Sequence, residues 1–503
     1  MHSIMRSTKE PLRLTRTHHR LLPDPRRVIT RPFHPSDVEI AAGESSRIRA
    51  ILGRVLAIPE EKLPAMIERL WRNFSSRHRD FERVLDEHYS LVSHHLDHDE
   101  PVSRERRLLI GAYFTHEYSI EGAALFNPSI VPAPDQSGLP PAALRFVMST
   151  RAVGEGHISS IGFRTGVIGL DGGMAFDPTS PFAFTGARTP NPAYVKKQFA
   201  EKLREVGVDN EISRWVLARV PEQFGTQELH AVCAASKAER VPAVMRCETL
   251  DVIHWLATSS YDVVFQPDSS ISERVIFPES PNESRGMEDA RFVRFVEDDG
   301  SVCFYATYTA YDGHDILPQL IETPDFLHFG VRTLNGSCVQ NKGMALFPRR
   351  IGGKYAMLSR HDGESLYFLT SDNLRSWNEA RELHVPSYPW EIVQIGNCGS
   401  PMETEAGWLV LTHGVGAMRR YAIGALLLDL DDPQRIIGHL AEPLLAPTAD
   451  EREGYVPNVL YTCGGIVHAG QLILPYGFSD AGIAIATASI DELVSRLLDE
   501  STV

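Results

Sequence analysis

Two periodicities divide the chain. Between Ser36 and about Leu96, the residues Leu70, Phe74, Phe81, Leu85, Tyr89, Val92 and Leu96 recur at spacings of three, four and seven, which marks one apolar face of a helix or helix pair. Pro59 and Pro64 mark a turn between this region and an earlier helix, Arg47 to Leu56. From about Leu108 to the C-terminus the pattern changes to short β-type runs punctuated by Gly, Pro, Asn and Asp. One stretch interrupts them. From Pro192 to about Ala257, Tyr194, Phe199, Leu203, Ile212, Trp215, Val216 and Val220 return to helical spacing and read as an insertion or cap between strand groups. The expected organisation is an irregular basic arm over 1–35, a helical extension over 36–107, and a strand-rich domain over 108–503 with a helical insertion near 192–257.

The strand-rich part repeats one template, a turn glycine followed by an apolar strand that ends in a large polar residue. It occurs at Gly300 to Tyr308, Gly353 to Arg360, Gly407 to His413 and Gly470 to Tyr476. These glycines lie 53, 54 and 63 residues apart, and a shifted fifth copy runs from Leu144 to Arg151. Repetition at this length, with several short strands per unit, is the pattern of propeller blades. The expected fold is therefore all-β, a five-bladed β-propeller with added N-terminal and inserted helices. A β-sandwich is the alternative, but its strands do not repeat as a unit at this length. Equivalent propeller strands line a central channel, which would gather Arg151, Tyr308, Arg360, His413 and Tyr476. Cations brought together repel unless an anion joins them, so an anion pocket is expected there, with Lys342 as a further member.

Charge and composition narrow the classes. A net charge of −15 argues against a nucleic-acid partner. No run of about 18 apolar residues occurs, so no membrane span is expected. Met1 to Arg31, rich in Arg, His and Pro, has no apolar run long enough for a signal peptide. Six cysteines without a C-x-x-C pair fit free thiols in a reducing compartment, and the cytoplasm is the expected location. His94, His95 and His98, with Asp97 and Asp99, invite a metal reading. Adjacent histidines at a helix end point in different directions, so no metal site is assigned to them.

The chemistry concentrates in Ser284-Arg285-Gly286-Met287-Glu288-Asp289-Ala290-Arg291-Phe292, where two adjacent carboxylates sit between arginines just ahead of a strand. Alone, such a motif is most often a surface Glu-Asp pair bridged to Arg291. Other segments overturn that reading: Phe126-Asn127-Pro128, Asn341-Lys342 through Phe347-Pro348, Lys354-Tyr355 through Ser359-Arg360, and Thr412-His413-Gly414-Val415. They continue with Gly424 through Asp429-Leu430, Asp432-Pro433, Pro457-Asn458-Val459 and Tyr476-Gly477 with Asp480. In this order, over roughly Leu108 to Leu498, they resemble glycoside hydrolase family 130, the inverting β-mannoside phosphorylases and related β-mannosidases.

The resemblance implies a five-bladed propeller in which Asp289 is the sole catalytic acid and Arg151, Lys342, Arg360 and His413 hold phosphate. It places Asn127, Glu288 and Asp480 near the mannosyl unit of the innermost subsite, and Tyr421 at the phosphate end. The implied reaction cleaves a β-mannoside with inorganic phosphate to give α-mannose 1-phosphate, with no metal or organic cofactor; the acid works through a sugar hydroxyl rather than directly. The chemistry agrees. Inverting cleavage needs one acid and one nucleophile arriving on the opposite ring face. Phosphate is already anionic and needs only positioning and charge compensation, which arginine forks, Lys and His supply.

Ala290, where the family often has Pro, is a small departure that should not touch the chemistry, and Glu288 rather than Tyr before the acid looks more like the β-1,2-mannoside members than the β-1,4 ones. A β-mannosidase, the hydrolytic alternative, would be expected to lose the basic set retained here. A non-catalytic carbohydrate-binding propeller would be expected to lose Asp289. The two helical regions have no counterpart in the family. They either cover propeller edges or form the interface of an expected homo-oligomer, or they narrow the acceptor subsites as a lid. The loop Gly154 to Ser160, just after Arg151, is a second place for specificity.

Overall fold

The computed structural model describes residues 14–33, 35, 47–96, 102–191, 193–236 and 243–500. Five antiparallel strand groups, sheets I to V, follow one another along it, and sheets I and II are continuous through one parallel bridge between Ser159 and Gly286. Sheet I comprises Ala124–Pro132, Leu144–Val153, Ser159–Ile168 and Met174–Phe176. Sheet II comprises Gly286–Val296, Val302–Tyr311, Ile316–Thr323 and His328–Thr333, extended by Tyr261–Val264 and Ala187–Pro190. Sheet III comprises Ala345–Leu346, Tyr355–Ser359, Leu366–Ser371 and Glu379–His384. Sheet IV is built on Gln394–Asn397, Gly407–Val415, Tyr421–Leu428 and Ile436–His439. Sheet V is built on Gln471–Phe478 and Gly482–Ser489. Each template strand of the sequence repeat lies in a different sheet.

The packing follows from the strand sequences. In Gly407–Val415, Trp408 and Val410 face a core shared with Phe347, Leu358 and Phe368 of sheet III, while Leu409 and Leu411 face a core shared with Leu472, Leu474 and Phe478 of sheet V. A strand apolar on both faces is a buried strand, and here both faces are covered by neighbouring sheets. The same arrangement joins sheets I and II around Phe163, Phe292 and Phe326, and sheets II and III around Phe295, Leu346 and Trp377. A fifth core, around Phe146, Met148, Ile473 and Ile485, joins sheet V to sheet I.

The helices form further cores of their own. Helices α1 (Arg47–Leu56), α2 (Leu63–Phe74), α3 (Phe81–Val92) and α4 (Arg104–Tyr113) bury Ile48, Leu52, Leu63, Val92 and Phe114 together. The strand character expected from Leu108 begins only at Thr115, because Ser103 caps α4 by accepting from the Arg106 amide at 3.3 Å. Gly111 is where α4 meets α3: a Cβ there would lie 1.9 Å from the Leu85 carbonyl oxygen. The insertion carries α5 (Lys196–Glu205), α6 (Glu211–Leu217), α7 (Thr226–Ala235) and α8 (Ala243–Thr258) around Phe199, Leu203, Val216 and Leu229. A last helix, α9 (Ile490–Glu500), packs Leu493 and Leu497 beneath sheets IV and V. No helix among the described residues is long and apolar enough to cross a membrane. Of the histidine cluster, His98, Asp97 and Asp99 lie outside the described residues.

The N-terminal segment is not an irregular arm over its described residues. Thr15–Leu21 pairs with Gly482–Ser489 and gives sheet V its outer strand, and Val28–Pro32 pairs with Thr115–Ser119. Between them, buried Arg27 shares the Glu121 carboxylate with Arg164, at 3.0 and 2.7 Å. Thr-Arg-Thr-His-His-Arg-Leu carries no apolar alternation because an edge strand meets solvent, and its partner lies at the far end of the chain. Removing residues 1–22 would leave Gly482–Ser489 as an open edge. The truncated protein should melt at least ~5 °C lower by differential scanning calorimetry. An unchanged Tm would restore the irregular-arm reading.

Candidate functional site

Sheet II opens with Gly286–Val296, and its register against Val302–Tyr311 slips between Glu288 and Arg291. Asp289 and Ala290 both stand opposite Tyr308, a β-bulge that re-aims a side chain. Asp289 takes the left-handed conformation, φ 57°, at this bulge. Sheet I has a matching irregularity between Phe126 and Ser129, where Asn127 sits at φ 48°, and Asp480 in sheet V's turn also has φ 48°. Non-glycine residues held left-handed cost of order 1 kcal/mol each, and they collect where function over-determines the backbone.

These positions converge. Asp289 Oδ1 accepts from Asn127 Nδ2 at 2.7 Å and from Arg151 Nη1 at 3.3 Å. Arg151 Nη2 donates to Glu288 Oε1 at 2.7 Å, and Lys342 Nζ donates to Glu288 Oε2 at 2.5 Å. Arg291, fully buried, donates from Nη1 to the Asp289 carbonyl at 3.0 Å, from Nε to the Cys398 carbonyl at 2.8 Å, and from Nη2 to the Tyr461 hydroxyl at 2.8 Å. The Tyr461 ring lies 4.8 Å from that of His413, whose Nε2 is 3.1 Å from Arg360 Nη1. The Tyr421 ring stacks on His413 at 6.1 Å.

Electrostatics sort the groups. Burial pushes the Asp289 carboxyl up, but Arg151, Arg291, the Asn127 amide and Lys342 outweigh it and hold it below its ordinary value. Asp480 is displaced the other way: burial, with Asp289 and Glu288 nearby, carries it to about 6 against the pull of Arg151. Burial and the neighbouring charges of Arg360 and Arg291 press His413 well below the usual imidazole range. His413 is therefore neutral at pH 7 and offers a hydrogen bond rather than the point charge expected from sequence. Among the described residues Arg360 makes no ion pair, and its buried Nε, the His413 Nδ1 and both side-chain polar atoms of Asn397 have no hydrogen-bond partner. Such groups are costly unless something else satisfies them.

The structure thus links Asn127, Arg151, Glu288, Asp289 and Lys342 directly. Arg360, His413 and Tyr421 form a second group, and Asp480 lies within electrostatic reach of Arg151. It does not bring in Tyr308 or Tyr476. The Tyr308 hydroxyl bonds buried Glu283, and Tyr476 donates to Glu451 at 2.7 Å, a carboxylate that also holds Arg16. Both are satisfied core residues. Sequence reading gave no role to Tyr461 or Asn397, and placed Arg291 only as the partner of a surface carboxylate pair. Arg291 had a signal, since it stands two residues beyond Asp289 in the central motif. Tyr461 and Asn397 had none, being placed by contacts between sheets.

The glycoside hydrolase family 130 model, described as beta-1,4-mannooligosaccharide phosphorylase, matches residues 256–499. That is a shorter span than the sequence resemblance suggested, and it leaves Asn127 and Arg151 to be tied to the site by the structure alone. A 1,2-beta-oligomannan phosphorylase of Thermoanaerobacter sp. (strain X514) is 32% identical over 231 residues, covering 44% of this chain and 75% of that protein. A beta-1,4-mannooligosaccharide phosphorylase of Ruminococcus albus is 31% identical over 265 residues, covering 50% and 75%. Among solved structures, a beta-1,2-mannobiose phosphorylase from Listeria innocua in complex with beta-1,2-mannobiose superposes with a TM-score of 0.45 at 21% identity, covering 76% of this chain and 93% of that one.

The Asp480 environment yields a pH signature. A carboxyl raised to about 6 keeps its proton in the folded protein across the pH 4–6 window, where the unfolded chain has lost it. The native state then binds more protons than the unfolded one, so its contribution to stability falls as pH rises through that window and stays lower above it. In Asp480→Asn the loss of stability between pH 4 and pH 7 should shrink by about 2 kcal/mol relative to wild type, read by urea unfolding. Parallel wild-type and variant profiles would contradict the assignment.

Proposed function

The chain belongs to glycoside hydrolase family 130 and is a mannoside phosphorylase, and on that footing we propose that it is an inverting enzyme transferring a β-linked mannosyl unit to inorganic phosphate as α-mannose 1-phosphate. Its fold on this reading is a five-bladed β-propeller. Support comes from five consecutive antiparallel strand groups, the first two continuous through a parallel bridge, whose five cores join each to the next and the last to the first. The site then sits where the bulged strands of the blades converge.

The observation that carries the reaction is the composition of the buried cluster: one carboxyl hydrogen-bonded by Asn127, a second carboxylate occupying Arg151 and Lys342, and the unpaired donors of Arg360 beside neutral His413. Phosphate bound by Arg360, His413, Arg151 and Lys342 takes over the cations that Glu288 and Asp289 share. Its negative charge, and the withdrawal of Arg151 and Lys342, raise the proton affinity of Asp289. Asp289 then carries the proton that reaches the leaving oxygen through a sugar hydroxyl, while phosphate attacks from the opposite face. Glu288 and Asn127, with Asp480, turn to the mannosyl hydroxyls. Phosphate is the co-substrate and no further cofactor is assigned. Glu288 ahead of the acid supports a β-1,2 linkage over β-1,4.

The helical insertion is assigned to the acceptor side. It forms one wall of a cavity of about 1030 Å³, lined by Asp251, His254 and Trp255 of α8 and facing Asp312, Asp315 and Asn341, the neighbour of Lys342. His254→Ala should raise KM for longer mannosides by about 3- to 10-fold with KM for phosphate unchanged. Equal KM values for all acceptor lengths would remove the insertion from the reaction.

The reaction itself is tested by phosphorus NMR of the protein with β-1,2-mannobiose and phosphate, beside a phosphate-free control. A sugar-phosphate signal should appear only with phosphate, and Asp289→Asn should lower its rate by about 10³-fold. Free mannose released equally in both tubes would establish a hydrolase instead. A sugar phosphate formed only from β-1,4-mannosides would keep the phosphorylase and overturn the linkage.

A further inference from the structure

We propose that His384, Glu391 and His439 form a zinc-type divalent-cation site that clasps sheet III to sheet IV. His384 ends the outer strand of sheet III, Glu379–His384, and His439 ends the outer strand of sheet IV, Ile436–His439. Glu391 lies in the segment between the two sheets. One donor atom from each of the three side chains falls within 4.8 Å of the others. His384 Nε2 stands 3.2 Å from Glu391 Oε1, and His439 Nε2 stands 3.7 Å from Glu391 Oε2. Tetrahedral zinc with ligands at about 2.0–2.2 Å separates its donor atoms by about 3.3 Å. Small side-chain rotations therefore bring all three onto one ion.

The hydrogen bonding points the same way. Glu391 is fully buried, and both histidine side chains are only 13% exposed. Glu391 Oε1 accepts from the backbone amides of Ser387 at 2.9 Å and Tyr388 at 3.2 Å, which fixes the carboxylate plane. Glu391 Oε2 and His439 Nε2 have no hydrogen-bond partner, although both are buried and face each other. At 3.7 Å they are too far apart for a hydrogen bond, so among the described residues both buried atoms are left unsatisfied. A cation between them satisfies both, with the amides of Ser387 and Tyr388 acting as the outer support that metal-binding carboxylates use. Two imidazoles and one carboxylate, with a fourth position left for water, suit zinc over calcium or magnesium.

The clasp also reaches the neighbourhood of the proposed phosphate site. Trp390, beside Glu391, donates its indole N–H to the Ala441 carbonyl at 3.1 Å. Its ring lies so close over Gly414 and Gly424 that a Cβ at either would come within 2.4 Å of it. Gly414 follows His413 directly, so the ion would hold the segment that packs behind that strand.

Full-length protein stripped with a chelator and titrated with Co²⁺ should develop visible d–d absorption that saturates at one equivalent and is displaced by Zn²⁺. Zn²⁺ alone should raise Tm by about 5 °C through preferential binding to the folded state. His439→Gln and His384→Gln should lose both the absorption and the Tm rise. A wild-type titration without d–d absorption and without a Tm rise would overturn the proposal. Absorption undiminished in His439→Gln would overturn it equally, by placing the cation elsewhere.

Discussion

The site depends on burying several opposite charges together. Glu288 and Asp289 are each held by Arg151, and Glu288 also holds Lys342. None of these groups could be buried alone, since an isolated ion in a protein interior costs several kcal/mol even after relaxation. The cluster therefore stands or falls as a set. Its members come from every sheet: Asn127 and Arg151 from sheet I, the Glu288 to Arg291 run from sheet II, Arg360 from the end of the second strand of sheet III, His413 from sheet IV, and Tyr461 and Asp480 from sheet V. Packing that brings five sheets together is thus also what neutralises the site. Arg291 ties three sheets at one guanidinium through Asp289, Cys398 and Tyr461.

The second constraint is local. Asp289 and Asn127 hold left-handed backbone at strand irregularities, and Asp480 holds it in a turn. A regular strand would point consecutive side chains to opposite faces, so Glu288 and Asp289 could not both reach Arg151. The bulge spends a little backbone strain to put two neighbouring carboxylates in one pocket. Asp289 and Asp480 behave differently, because Asp289 is gripped by Asn127 and Arg151 while burial drives Asp480 toward protonation.

Much of this was legible in the chain because it is local. The turn-glycine template marked one strand in each of the five sheets, and the apolar runs of Gly407–Val415 and Gln471–Phe478 announced strands covered on both faces. The Glu288-Asp289 motif located the charged centre. Non-local features stayed hidden. Polar Thr15–Leu21 gains its structure from pairing with the last strand of sheet V, and Tyr461 and Asn397 owe their places to packing between sheets. Equivalence within the repeat also misled: Tyr308 and Tyr476 share the template position of Arg151 and His413, yet Glu283 and Glu451 claim their hydroxyls. The neutrality of His413 followed from its burial and then from Arg360 and Arg291 being packed beside it, which no sequence pattern encodes.

The central claim is that Glu288 occupies cations that phosphate takes over. Its most direct test is calorimetric titration of inorganic phosphate into wild type and Glu288→Gln without sugar. Removing the competing carboxylate's charge leaves Arg151 and Lys342 for phosphate, so the variant should bind phosphate several-fold more tightly while losing turnover. Equal or weaker phosphate binding in Glu288→Gln would show that these cations do not pass from carboxylate to phosphate, and the account of the site would fail.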